Sequence, residues 1–260
     1  MNRLENVKSI LFVDEIKFSK KDNDADNSFY FIGVLAKLEQ IAEIREKYQK
    51  VTVDLKKGFH ATKAYKIKSL NSELMNRLTG LIIDYNLKCL VFKYDKDRFY
   101  DLTRKHLVNL NFEESGKFTN HEFQALFYFL QVLESDLQTK LNKVETPLRI
   151  YFDRLIYGKK KPEEFDFDSE KIETITFSAK SKIDLLALPD HFGYIFRKCR
   201  IKYNSESGLK SLAELKIQES NSELINNCIS NFTSIFNSKL FVFLDVDTWL
   251  NKIEKKNTTA

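Results

Sequence analysis

The adjacent acids Asp14 and Glu15 directly follow the apolar run Lys8–Val13 (KSILFV), and Asp153 closes a similar run, Leu148–Phe152. Asp190 stands in Lys182–Arg197 (KIDLLALPDHFGYIFR), whose apolar residues recur at helical spacing. Carboxylates brought together from distant segments repel one another, and a hard divalent cation bound through oxygen relieves the repulsion. Two Mg²⁺ or Mn²⁺ ions roughly 3.5–4 Å apart can orient water and stabilise both oxygens of a phosphodiester displacement. Asp14, Asp153 and Asp190 are therefore candidate catalytic metal ligands, for one ion or two. Each also has a plainer use, since an Asp after a strand forms turns or caps helices by accepting backbone N–H bonds. Glu15 is a supporting residue: neighbours on a strand point to opposite faces, so it joins Asp14 only if the chain turns immediately.

His60 sits in an irregular stretch, GFHAT at Gly58–Thr62. It could orient a phosphate, move a proton or complete a metal site, and the alternative is a histidine that caps a loop. His191 follows Asp190 but shares no helix face with it. His106 and His121 have no metal-ligand spacing. Lys57, Arg154, Lys159 and Lys160 are candidate substrate-binding cations, because RLIYGKKK follows Asp153 and lysines precede His60. Asp245 and Asp247 share strand alternation but have no third group to fix them to a site.

The elements that must position these groups read as follows. Lys8–Val13 and Ser28–Ala36 are strands of a hairpin joined by the polar stretch Ile16–Asn27. Leu38–Gln49 and Lys66–Tyr85 have helical spacing, with a short strand around Val51–Leu55 between them. Leu87–Tyr94 is a strand, Lys96–Leu107 and Asn120–Leu141 are helices, and Leu148–Phe152 and Lys171–Phe177 are strands flanking the charged excursion Lys159–Asp168. Pro189 either starts a helix or kinks one. Helices near Leu209–Gln218 and Ser222–Phe236 and an apolar piece at Lys239–Val246 complete the chain. This alternation predicts an α/β fold, a mixed sheet flanked by helices with a mainly helical C-terminal extension, divided as a core over 1–200 and an extension over 201–260 packed on it. No GxGxxG or GxxxxGK[ST] phosphate loop is present.

The 260 residues are 43% hydrophobic and 30% charged, which excludes wholesale disorder. No apolar run reaches the roughly 20 residues that span a bilayer, and no secretory signal precedes the first strand, so a soluble, cytoplasmic protein without a membrane partner is expected. Cys89, Cys199 and Cys228 are too far apart for a zinc site or a disulfide framework. The net charge of +5 permits RNA or DNA binding without requiring it.

The ordered motifs FVDEIKFS (Phe12–Ser19), FYFIGVLA (Phe29–Ala36), GFHATKAY (Gly58–Tyr65), IYFDR (Ile150–Arg154) and SAKSKIDLLALPDHFGYIFR (Ser178–Arg197) together resemble the DUF3800 family. The resemblance implies an RNase H-like fold, an acidic core of Asp14, Asp153 and Asp190, associated roles for Glu15 and His60, and a bacterial or prophage setting in defence. The chain departs from the family pattern at three places. Ile16-Lys17 replaces Ser-Gly, Gly58 stands where a glutamate precedes the histidine, and Leu188-Pro189-Asp190 replaces Leu/Ala-Ala-Asp. The expected activity is divalent-metal-dependent hydrolysis of RNA or DNA phosphodiesters by a nuclease. The alternatives are a noncatalytic nucleic-acid- or partner-binding component, including a homodimer, and a metal-dependent hydrolase of a small phosphorylated substrate.

Overall fold

The computed structural model describes residues 6–17, 29–55, 58–67, 71–94, 121–153, 163–166, 169–200, 222–244 and 249–250. The predicted helices at Lys96–Leu107 and Leu209–Gln218 lie outside the described residues, as do His106, Asp245 and Asp247.

Among the described residues, seven strands form one sheet: β1 (Ser9–Lys17), β2 (Phe29–Lys37), β3 (Lys88–Tyr94), β4 (Leu148–Asp153), β5 (Glu163–Asp166), β6 (Ile172–Ser178) and β7 (Phe241–Leu244). Their order is β5-β6-β4-β1-β2-β3-β7. The β1-β2, β2-β3 and β5-β6 pairs are antiparallel, whereas β1-β4, β4-β6 and β3-β7 are parallel. Central strands in such a sheet are covered on both faces, which is why β3 reads as a nearly continuous apolar run.

Among the described residues, six α-helices accompany the sheet: α1 (Ile41–Val51), α2 (Ala61–Ala64), α3 (Asn71–Asp84), α4 (His121–Leu137), α5 (Ala187–Arg200) and α6 (Glu223–Asn237). The side chains of alternate strand positions separate into two cores. Ile10, Phe12, Ile32, Val34 and Val91 pack with residues of α1, α2, α3, α5 and α6. Leu11, Val13, Phe31, Leu90, Phe92 and Phe152 pack instead with α4, whose Ala125, Phe129, Val132 and Leu133 are buried. Among the described residues, no helix is long and apolar enough to cross a membrane.

Several local expectations change. The first strand does not end at Val13 but continues to Lys17, because Asp14, Glu15 and Ile16 pair with Ile32, Phe31 and Tyr30 of β2. Val51–Leu55 is not a strand: α1 runs through Val51 and closes in turns, with the Thr52 N–H and hydroxyl both donating to the Tyr48 carbonyl. The helix expected from Lys66 begins at Asn71. Glu163–Asp166, within the charged excursion, forms β5. At the C-terminal end, α6 packs on α3 and α5, and β7 joins the main sheet beside β3.

Pro189 starts a helix. The 3₁₀ turn Asp184–Leu186 leads into α5, and the proline is its third residue, where a backbone N–H has no intrahelical acceptor to lose.

Candidate active site

The parallel register of β1 on β4 pairs Val13 with Phe152, so the next step brings Asp14 beside Asp153 at the same end of the sheet. Asp153 in turn pairs with Ser178 at the end of β6. Strand alternation places Asp14 with Ile10 and Phe12, on the face that α5 covers. Glu15 falls on the opposite face with Val13. Its separation from Asp14 follows from the strand continuing straight through both residues.

The third acid arrives on α5, whose fourth residue is Asp190. Close approach of α5 to β1 depends on Gly193. A Cβ at that position would lie 2.6 Å from Ile16 Cδ1 and 3.1 Å from its Cγ1. The amphipathic spacing of Leu188, Phe192, Ile195, Phe196 and Cys199 then buries one side of the helix and fixes its rotation.

The three acids meet at the ammonium of Lys180. Its Nζ is 2.7 Å from Asp14 Oδ2, 3.3 Å from Asp153 Oδ2 and 3.3 Å from Asp190 Oδ2. Lys180 lies two residues beyond β6, in a turn closed by the Lys182 and Ile183 N–H groups donating to the Ala179 carbonyl. A further clamp holds that turn's far side: Arg45 Nε donates to both oxygens of Asp184 at 3.0 Å, and Gln49 adds a bond of 3.2 Å. Lys180 was not among the residues singled out from sequence. The signal available was positional, a lysine just past a strand that runs alongside the one ending in Asp153.

Burial raises Asp14 to about 6 against the pull of Lys180, and the charges of Asp190 and Asp153 push it the same way. Burial also works against the charged form of Lys180, but the carboxylates of Asp14, Asp190 and Asp153 outweigh it and hold the ammonium above its ordinary range. The two directions are compatible because one cation faces three anions. Among the described contacts, the three acids face the single ammonium of Lys180.

His60 borders the cluster. Its Nδ1 is 3.8 Å from Asp190 Oδ2, and its side chain is half exposed. The residue precedes α2 in an extended conformation, and the N–H of Ala61, the first residue of α2, donates to Asp190 Oδ2 at 3.0 Å. Gly58 has a φ of +75°, in the left-handed region where glycine is favoured, so a glutamate at this position would be strained. His191, which does not share a helix face with Asp190, is buried in the core. It contacts the Tyr65 hydroxyl and the Thr79 hydroxyl, and burial lowers it to about 3. A neutral ring satisfies both contacts by accepting at one nitrogen and donating at the other.

The structure therefore brings Asp14, Asp153, Asp190 and His60 to one place and sends Glu15 and His191 elsewhere. Lys57, Arg154, Lys159 and Lys160 lie outside the described residues. No family model, curated protein or solved structure matches this chain. What the site can do is argued from its own groups.

The donor chemistry fits a hard divalent cation, since three carboxylate oxygens from three elements converge on one point. Among the described residues, no group of three or more His, Cys, Asp or Glu side chains is arranged so that it could hold a metal ion. The three oxygens stand 2.7, 3.3 and 3.3 Å from Lys180 Nζ, further out than the about 2.0–2.6 Å of Mg²⁺ or Ca²⁺ coordination.

Proposed function

We propose that the protein is a divalent-metal-dependent nuclease that hydrolyses RNA or DNA phosphodiesters. The observation that carries this reading is the meeting of Asp14, Asp153 and Asp190 at one ammonium, although 139 and 37 residues separate them along the chain. In this reading the three carboxylates hold one or two Mg²⁺ or Mn²⁺ ions. A bound ion supplies Lewis acidity and an activated water for phosphodiester hydrolysis.

Asp190 is held by the Ala61 N–H, which fixes the direction of its oxygen. His60, half exposed at the edge, is in place to meet a phosphate oxygen or carry a proton to the leaving oxygen. Lys57, Arg154, Lys159 and Lys160 would attract the polyanion backbone without selecting a sequence. The three-stranded antiparallel run β1-β2-β3, with β4 parallel beside β1 and β6 parallel beside β4, is consistent with an RNase H-like fold.

The Lys180 contacts also favour a second reading, in which a filled ion-pair cluster stabilises a noncatalytic nucleic-acid- or partner-binding protein. One assay separates the two. Purified protein is incubated with single-stranded and duplex RNA and DNA, together with a panel of nucleotides and phosphoesters, in Mg²⁺, Mn²⁺ or EDTA. Polymer cleavage in Mg²⁺ or Mn²⁺ and its loss in EDTA are expected. Binding without turnover under every metal condition would overturn the nuclease reading, and turnover confined to small phosphoesters would reassign the substrate.

A further inference from the structure

We infer that Lys180 is a resident counter-cation, which holds the three aspartates together until a divalent ion displaces its ammonium from the same oxygens. The inference rests on the metal-dependent reading above and adds a competitor to it.

Four observations carry it. The ammonium touches all three acids at the point where their oxygens converge, so an ion and Lys180 cannot share that position. Its contacts are uneven, with a close pair to Asp14 and longer ones to Asp153 and Asp190, so two of the three acids are held less tightly by the ammonium than the first. A divalent ion exchanged for the ammonium raises the positive charge at the centre from one to two. Finally, Lys180 rides on a turn rather than a strand or helix, and its side chain retains 20% exposure, giving the unbranched stem a path toward solvent.

The exchange has a structural consequence. Without metal, the ammonium offsets repulsion among three carboxylates that the sheet register and α5 force together. With metal, the lysine head is released to the rim of the site. Binding affinity measured on this protein is therefore a difference between two cations rather than the intrinsic affinity of the acids.

Calorimetric titration of MnCl₂ at constant ionic strength tests the competition, using wild type, K180M, K180R and K182M. Lys182 is exposed in the same turn and controls for the general loss of a nearby positive charge. K180M is expected to bind Mn²⁺ at least about tenfold more tightly than wild type, with K180R and K182M within about threefold of it. Amine-reactive labelling of wild type, read by peptide mass spectrometry, gives a measurement independent of variant folding. Lys180 labelling should rise several-fold on saturation with Mn²⁺. Wild-type binding with no gain in K180M, or with Lys180 labelling unchanged, would overturn the exchange and leave the metal site standing. Absence of Mn²⁺ binding in both wild type and K180M would overturn the exchange and the metal-dependent reading together.

Discussion

D153N is expected to lose at least about a hundredfold in metal-dependent cleavage while retaining the wild-type melting temperature within a few degrees. The same separation is expected for D14N and D190N. A carboxamide keeps the volume and one acceptor oxygen of each acid but removes a negative charge that a cation needs. Folding tolerates the change because three carboxylates share one ammonium, and removing one leaves two for Lys180. Asp14 gains most from neutralisation, since burial already pushes it up to about 6. Asn at position 190 still presents an oxygen to the Ala61 N–H, which donates to Asp190 now. Cleavage assays run beside thermal melts read both quantities on the same preparations. Loss of activity accompanied by a matching loss of folded protein would assign the acids to stability instead.

Replacing Phe31 with Ala has the largest expected effect on the fold. Phe31 is fully buried on β2, and its ring lies 6.3 Å from Phe92, 5.4 Å from Phe129 and 5.8 Å from Phe152. These contacts join β2 to β3, to α4 and to β4, so truncation opens a cavity where four elements meet. Deleting a buried Phe side chain costs about 3–5 kcal/mol. Phe31 is also the register partner of Glu15, one residue from the candidate ligand Asp14. Urea denaturation should show the midpoint falling with the slope unchanged, while V53A, at a side chain 75% exposed, stays at the wild-type midpoint. Equal midpoints for F31A and wild type would contradict the packing described for this face.

The sequence made the site's anionic half readable because each acid lies where an apolar run ends or on a helix with one apolar face. Those patterns report burial directly, and burial brought the acids together. Lys180 had no comparable signature. A lysine is ordinary in a chain with 42 basic residues, and its partners lie 166, 27 and 10 positions away. Only the β4-β6 register, which sets Asp153 beside Ser178, brings its turn to the acids.

The course of the first strand was hidden for a related reason. Asp14, Glu15 and Lys17 look like the start of a loop, but β2 offers backbone partners as far as Phe29, and the ladder continues regardless of side-chain polarity. This resolves the acid pair: Asp14 reaches the cluster because Glu15 remains on the strand and faces away. Pro189 and Gly58 depart from the pattern of the family that the sequence resembles. Both have local reasons, a first-turn position in α5 and a left-handed turn before His60, and neither separates Asp190 from the other acids.

The most direct measurement is a crystal structure of the protein soaked in MnCl₂, with anomalous diffraction recorded to locate manganese. The account predicts an anomalous peak within coordinating distance, about 2.0–2.4 Å, of oxygens from Asp14, Asp153 and Asp190, with Lys180 Nζ withdrawn from its place among them. A map with no manganese at the three acids, and Lys180 still bound between them at saturating metal, would contradict it.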